Sequence, residues 1–216
     1  VSVYATETEQ TEQLKRWWHQ YGKSTLAVVI LAFLASWGWH AWQRQHERLL
    51  QTASVVYERL LTSIIRDDQV AVQQQAARLF KHYPRTPYAQ LAALILARKA
   101  VYDGDLNSAE KKLNWVMKHG ENSALKELAR IRQARILAAK DKPKEALELL
   151  NKVEDKAYLP LIQDTKGDIY LLMGNKEAAR SAYQAALKAL PTYEIMQPLI
   201  LMKLDDLVVD NDDKNA

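Results

Sequence analysis

A run of twenty residues near the start of the chain, Ser24 to Gln43, carries no formal charge, and it constrains the fold more than any other feature. Its centre reads Leu26-Ala27-Val28-Val29-Ile30-Leu31-Ala32-Phe33-Leu34-Ala35. A helix rises about 1.5 Å per residue, so this run spans roughly 30 Å, the hydrocarbon thickness of a bilayer. Five of the six tryptophans gather at its ends, Trp17 and Trp18 before it and Trp37, Trp39 and Trp42 at its close. Indole rings favour the headgroup region, which is apolar on one side and wet on the other. The segment therefore predicts one membrane-spanning helix over residues 24–43, with these five tryptophans as interfacial anchors. A buried core helix would need a large domain around it, and the run starts only 23 residues into the chain. A cleavable signal is the other competitor, with Ser36 and Gly38 at the −3 and −1 positions. The neighbouring tryptophans fit such a site poorly, and the apolar run is long for one. An uncleaved anchor is favoured. His40 and His46, at and just beyond its end, read as interfacial polar residues in preference to a proton or metal site.

Lys15, Arg16 and Lys23 precede the span, and Arg44 and Arg48 come after it. Basic residues collect on the cytoplasmic side, so this small bias places residues 1–23 in the cytoplasm and the rest of the chain outside. In the arm, Leu14, Trp17, Trp18 and Tyr21 recur at spacings of three and four. An amphipathic turn in the interface plane and a disordered arm are both open.

The chain beyond the anchor is long enough for one domain with its own core. Glycine and proline number only six each in 216 residues, while alanine, leucine, lysine, glutamate and glutamine, all good helix formers, dominate. The fold class is all-α. The net charge of +4 is mild, and its basic residues are interleaved with acids along helices. They read as solvated faces, with no motif for nucleic acid. The absence of cysteine excludes disulfides, Cys-ligated zinc and thiol catalysis, and suits an oxidising compartment.

Trp42 to Leu61 contains no proline or glycine, so the anchor is expected to run straight into the first helix of the domain, a stiff connection. Residues 53–86 suggest a helix pair turning at Asp67-Asp68 and ending at Tyr83-Pro84. Repetition comes next. Ala109, Ala146 and Ala179 each lie five residues after a turn position, Gly104, Asp141 and Gly174. A period near 34 residues, built as helix, tight turn and helix, is the signature of the tetratricopeptide repeat. Pro160 to Tyr193 matches that pattern best. Gly167 stands at a close helix approach, with Tyr170 expected to fill the gap beside it. Gly174 stands at the turn and Ala179 at the closest contact. Tyr183 and Ala186 continue the buried stripe, and Pro191 ends the second helix. Glu127–Leu159 and Gln90–Lys126 are weaker copies, and residues 53–86 fit loosely. A last helix, Tyr193 to Val208, apolar at Ile195, Leu199, Leu204 and Leu207, is expected to cap the stack. The acidic tail 210–216 is expected to be disordered. The predicted organisation is thus an arm over 1–23, a transmembrane helix over 24–43, an α-solenoid of helix pairs over 44–209, and the tail.

No catalytic constellation is legible. His19, His40, His46, His82 and His119 are scattered, with no i, i+4 pair for a metal. Gly104 and Gly174 stand alone, not in a phosphate loop. Asp103 and Asp105 flank Gly104 without the further ligands that calcium requires. No enzyme activity, cofactor or metal is expected. A binding surface remains, because stacked helix pairs expose a concave face made from their first helices. The repeat pattern places Leu94, Arg98, Val101 and Tyr102, then Ile131, Arg135 and Ala138, then Asp164, Asp168 and Leu171 along it, with Arg132 beside the row. Arg98, Tyr102, Arg132, Arg135 and Asp168 are the candidate partner contacts in this groove, which suits an extended or helical peptide. An ordinary solvated helix face is the competing reading for each residue taken singly.

The chain as a whole resembles the bacterial YfgM family. The resemblance rests on Leu14-Lys15-Arg16-Trp17-Trp18, Tyr21-Gly22-Lys23, Ala100-Val101-Tyr102-Asp103-Gly104-Asp105-Leu106 and Gly167-Asp168-Ile169-Tyr170 before Gly174, and on the early single span with a degenerate tetratricopeptide stack behind it. It implies an inner-membrane protein with a periplasmic domain and no catalytic residues. It also implies an ancillary subunit of the Sec translocon that links the channel to a membrane-anchored periplasmic chaperone of the parvulin-like isomerase type and assists exported proteins. A membrane-tethered scaffold for another envelope complex, with no role in export, is the alternative that the same anchor and groove allow.

Overall fold

The computed structural model describes residues 6–191 and 195–212. Among these there are nine α-helices: α1 (Thr6–Ile65), α2 (Gln69–His82), α3 (Pro87–Tyr102), α4 (Leu106–His119), α5 (Ser123–Ala139), α6 (Pro143–Leu150), α7 (Leu159–Leu172), α8 (Lys176–Ala189) and α9 (Met196–Asp212). A single 3₁₀ turn, Lys156–Tyr158, precedes α7. By its contacts the chain divides into two units, at Thr52 and Ala53. The first contains most of α1, and the second the remaining 53–65 of α1 together with α2 to α9.

In the first unit, α1 covers the whole uncharged run as one helix, as expected for a span. It is the one described helix long and apolar enough to cross a membrane, and the apolar window that qualifies it is 0% buried. Leu26, Val28, Ile30, Leu31, Phe33 and Leu34 are all exposed. A core helix would have its apolar groups covered, so that competing reading fails.

The second unit is built from one device used four times. Asp67 (φ +52°), Gly104 (φ +78°), Asp141 (φ +61°) and Gly174 (φ +75°) hold the left-handed conformation directly after a first helix. Each N–H bonds back three residues, to the carbonyls of Ile64, Val101, Ala138 and Leu171 at 2.9–3.1 Å. The next N–H, of Asp68, Asp105, Lys142 and Asn175, bonds back five residues at 2.8–3.0 Å. This paired pattern satisfies the carbonyls at a helix end and reverses the chain at once. Three of the four next residues then cap the second helix. The side chain of Asp68 accepts from the N–H of Ala71, Asp105 from Ser108 and Asn175 from Ala178, each near 3.0 Å. Lys142 makes no such cap, and Pro143 opens α6 instead. Five residues after each turn residue come Val72, Ala109, Ala146 and Ala179, all buried. The loosely matching first pair thus has the same turn as the other three, with valine in place of alanine.

Pairing buries the apolar faces in consecutive, overlapping clusters. Ala53, Val56 and Leu60 of α1 meet α2 and the start of α3. Leu94, Leu113 and Val116 join α3, α4 and α5. Ile131, Leu150, Ile162 and Ile169 join α5, α6 and α7, and Tyr183, Ala186, Ile200 and Leu207 join α8 to α9. Each pair covers its neighbour, the logic of a one-dimensional stack. The helix α9 closes the series, with Ile200 and Leu207 buried and Lys203 and Leu204 half-buried on the same stripe. Ile195 precedes the helix and is 93% exposed, and Leu199 is also exposed. The helix also continues through Asp212, into the segment expected to be an unstructured tail. Residues 213–216 lie outside the described residues.

Gly167 does sit at a close approach, but the ring against it is that of Tyr183, not Tyr170. A Cβ at Gly167 would overlap the Tyr183 ring. That ring is fully buried, and its hydroxyl donates to Asp168 at 2.8 Å, so it cannot move aside. Gly167→Ala is therefore expected to cost about 1–3 kcal/mol by overpacking. Gly174→Ala meets open space but loses the left-handed turn, at about 1 kcal/mol. Urea unfolding of the full chain in detergent measures both, and equal stability of wild type and Gly167→Ala would contradict the close approach.

Candidate interaction groove

The first helices α3, α5 and α7 position the polar row predicted from the sequence. Arg98 lies one turn before the end of α3, and Arg132 and Arg135 lie one turn apart on α5, so that all three line one pocket of about 270 Å³. Its floor is apolar: Ala97 and Val101 of α3, Leu113 of α4 and Ile136 of α5. Arg132 is half-buried there. Burial first, and then the like charges of Arg135 and Arg98, push its guanidinium below the ordinary arginine range. Among the described residues neither Arg98 nor Arg132 has an acidic partner, whereas Arg135 does.

Tyr102, at the end of α3, is 92% exposed. It lines a separate, shallow hollow with Ile64, Ile95, Arg98 and Lys99. Leu94 and Ile131, expected on the groove surface, are instead buried in the core. The stretch of groove between α3 and α5 is thus more basic than the sequence pattern alone suggests.

Arg135 and Asp168 belong to a second constellation, only part of which is legible in the sequence. Asp164 of α7 is buried and accepts from Lys203 Nζ of α9 at 2.6 Å and from Arg135 Nη2 of α5 at 3.3 Å. Lys203 Nζ also donates to Asp168 Oδ1 at 2.6 Å and lies 5.3 Å from the Tyr183 ring centroid. Arg135 Nε donates to Thr165 Oγ1 at 3.2 Å. Burial and the neighbouring carboxylates raise the Tyr183 phenol pKa well above its usual value, so it stays a hydrogen-bond donor. A buried carboxylate is tolerable only when paired, and here two cations share it. The member absent from the sequence reading is Lys203. Its signal is there, because a lone lysine on the stripe of Ile200, Leu204 and Leu207 must find a buried partner.

A second such residue is Gln90 of α3, which is completely buried. Its side chain accepts from Asn122 N at 3.3 Å and donates to Asn122 O at 3.4 Å. It pins the connection between α4 and α5, and Gly120 leaves room for it, since a Cβ there would collide with Gln90.

In the first unit, Trp18, Trp37, Trp39 and Trp42 are all exposed, and the Trp18 ring lies over Gly22. The Trp39 and Trp42 rings are 5.5 Å apart, and His46 stacks on Trp42 at 5.7 Å. An exposed aromatic run of this kind suits a headgroup layer. The side chain of Trp17 lies outside the described residues. Among the described residues no group of three or more His, Asp or Glu side chains is placed to hold a metal. The arrangement thus comprises a basic pocket with an apolar floor and a long apolar helix carrying exposed aromatic side chains.

Lys203→Met removes one of the two cations on buried Asp164. With Arg135 still in place, the loss is expected to be about 2 kcal/mol, read by urea denaturation. In the Asp164→Leu background the same change should cost much less, and an equal cost in both backgrounds would contradict the pairing.

The tetratricopeptide repeat-like domain family matches residues 15–209, nearly the whole chain. Several curated relatives are similar over their full length. A protein of Aggregatibacter actinomycetemcomitans is 31% identical over 95% of this chain and 100% of its own. One of Haemophilus influenzae is 29% identical over the same shares, and one of Escherichia coli is 26% identical over 97% and 100%. Each is described as an ancillary SecYEG translocon subunit. With the exposed apolar helix and the four repeated turns, the chain belongs to the tetratricopeptide-repeat-like YfgM family of ancillary SecYEG translocon subunits.

Proposed function

We propose that this protein is a non-enzymatic ancillary subunit of the Sec translocon of the bacterial inner membrane, working through protein–protein contacts. The observation that carries this reading is the similarity to translocon subunits over the anchor and the repeats together, across 95% of the chain. A shared repeat alone would speak only for the fold. In this reading residues 1–23 are a cytoplasmic arm, 24–43 cross the membrane, 44–209 form a periplasmic domain and 210–216 a short tail. Trp17, Trp18, Trp37, Trp39 and Trp42 set the depth of the span. The groove bearing Arg98, Tyr102, Arg132, Arg135 and Asp168 meets a membrane-anchored periplasmic chaperone of the parvulin-like isomerase type, or exported clients themselves. The pairing of guanidinium groups with an apolar floor favours a binding role.

Photocrosslinkers at Phe33 in the span and at Tyr102 in the groove test the two halves of this reading in intact membranes. Phe33 is expected to yield translocon subunits, and Tyr102 a periplasmic partner. Recovery of only bulk membrane proteins from both positions would contradict it. In spheroplasts, added protease is expected to digest the repeat domain and spare the arm, whereas the opposite pattern would refute the orientation.

A further inference from the structure

We propose that the pocket between α3, α4 and α5 docks an acidic segment of a partner protein, setting a carboxylate between Arg98 and Arg132 and an adjacent apolar side chain on the floor. This rests on the reading of the groove as a partner surface and names the chemistry that the surface selects. Several half-buried cations elsewhere in the domain meet acids. Arg130 meets Glu127 and Lys140 meets Glu110, each at 2.6 Å, and Lys203 meets Asp164 and Asp168 at the same distance. Among the described residues neither Arg98, which is exposed, nor Arg132 meets an acid, and Arg132 is half-buried beside the like charges of Arg135 and Arg98. Asp164, the acid that Arg135 meets, is already shared with Lys203. Asp164 offsets Arg135, but Arg98 and Arg132 share the hollow without an acid, a repulsion that an entering anion relieves. Guanidinium forks match a carboxylate geometrically, in pairs of parallel hydrogen bonds.

The floor narrows the choice further. Ala97, Val101, Leu113 and Ile136 present apolar surface beside the guanidinium groups, which a bare inorganic anion would leave uncovered. A volume of about 270 Å³ lies below the usual range for cofactor sites and suits one or two side chains. An acidic residue next to a leucine or phenylalanine satisfies both halves of the pocket. Such a site has a recognisable energetic form, with an apolar anchor supplying burial and the arginines supplying specificity.

The test uses the full chain in nanodiscs of neutral lipid and fluorescence anisotropy of a fluorescein-labelled peptide alternating leucine and glutamate. A peptide alternating leucine and lysine is the control. The glutamate peptide is expected to bind and the lysine peptide not. Arg98→Gln combined with Arg132→Gln should weaken binding about tenfold or more, with circular dichroism and melting unchanged. Arg98→Gln alone alters an exposed position, and should weaken binding even if the double variant fails to fold. Equal binding of both peptides, undiminished affinity of Arg98→Gln, or displacement of the glutamate peptide by an equal concentration of inorganic phosphate would overturn the proposal. The last result would reduce the pocket to a general anion site. Failure here with groove crosslinks to a partner intact would refute the acidic segment alone. Peptide binding without any such crosslinks would instead refute the partner reading on which it rests.

Discussion

Within each helix pair of this domain the chain reverses within two or three residues, and a single left-handed residue makes that reversal possible. Asp67, Gly104, Asp141 and Gly174 occupy it in turn, each with the same two hydrogen bonds back into the helix it ends. The rest of the repeat depends on this geometry. The second helix starts in a fixed direction, its first-turn N–H groups are capped in three of four cases, and the residue five positions on, alanine in three of the four pairs, is buried between the two helices. The first helices then line up on one side, and the groove is a consequence of four identical turns.

The polar groups sort themselves by the same geometry. Where first helices from neighbouring pairs face one another, α5 against α7 and α7 against α9, charges meet at short range and are paired. Asp164 takes two cations, and Tyr183 and Lys203 both reach Asp168. Such a cluster adds modest net stability, because desolvation offsets most of the attraction, but it fixes how the elements register. Between α3 and α5 the charges lining the pocket have one sign only. Like charges thus gather around the pocket, while one repeat further on opposite charges pair, a contrast that the proposed partner surface would explain.

Much of this is legible in the sequence because turn residues and alanines carry a positional signal that side-chain identity elsewhere does not. Gly104, Asp141 and Gly174 with their alanines reveal the period, and the uncharged run reveals the span. The first pair is obscured because Val72 stands where the others have alanine and Asp67 where two have glycine. The partner of Gly167 is ambiguous from sequence because Tyr170 and Tyr183 both fall on buried stripes, and only three-dimensional packing decides which ring covers the glycine. In the groove, Arg98, Arg132 and Arg135 do share one surface, as the repeat pattern implies, but the burial of Leu94 and Ile131 is not visible in it. Their positions on the pattern say which face they occupy and not how deep the next pair presses upon it. Gln90 leaves no periodic signal at all, because its partners are backbone atoms of Asn122.

Hydrogen exchange of the full chain in nanodiscs, alone and with its purified membrane partners, tests most directly the claim that the first-helix face is the working surface. Protection is expected to rise on binding in α3 and α5, centred on residues 97–102 and 131–136, while α8 changes little. Protection confined to α2, α4, α6 or α8, with α3 and α5 unaltered, would contradict the account.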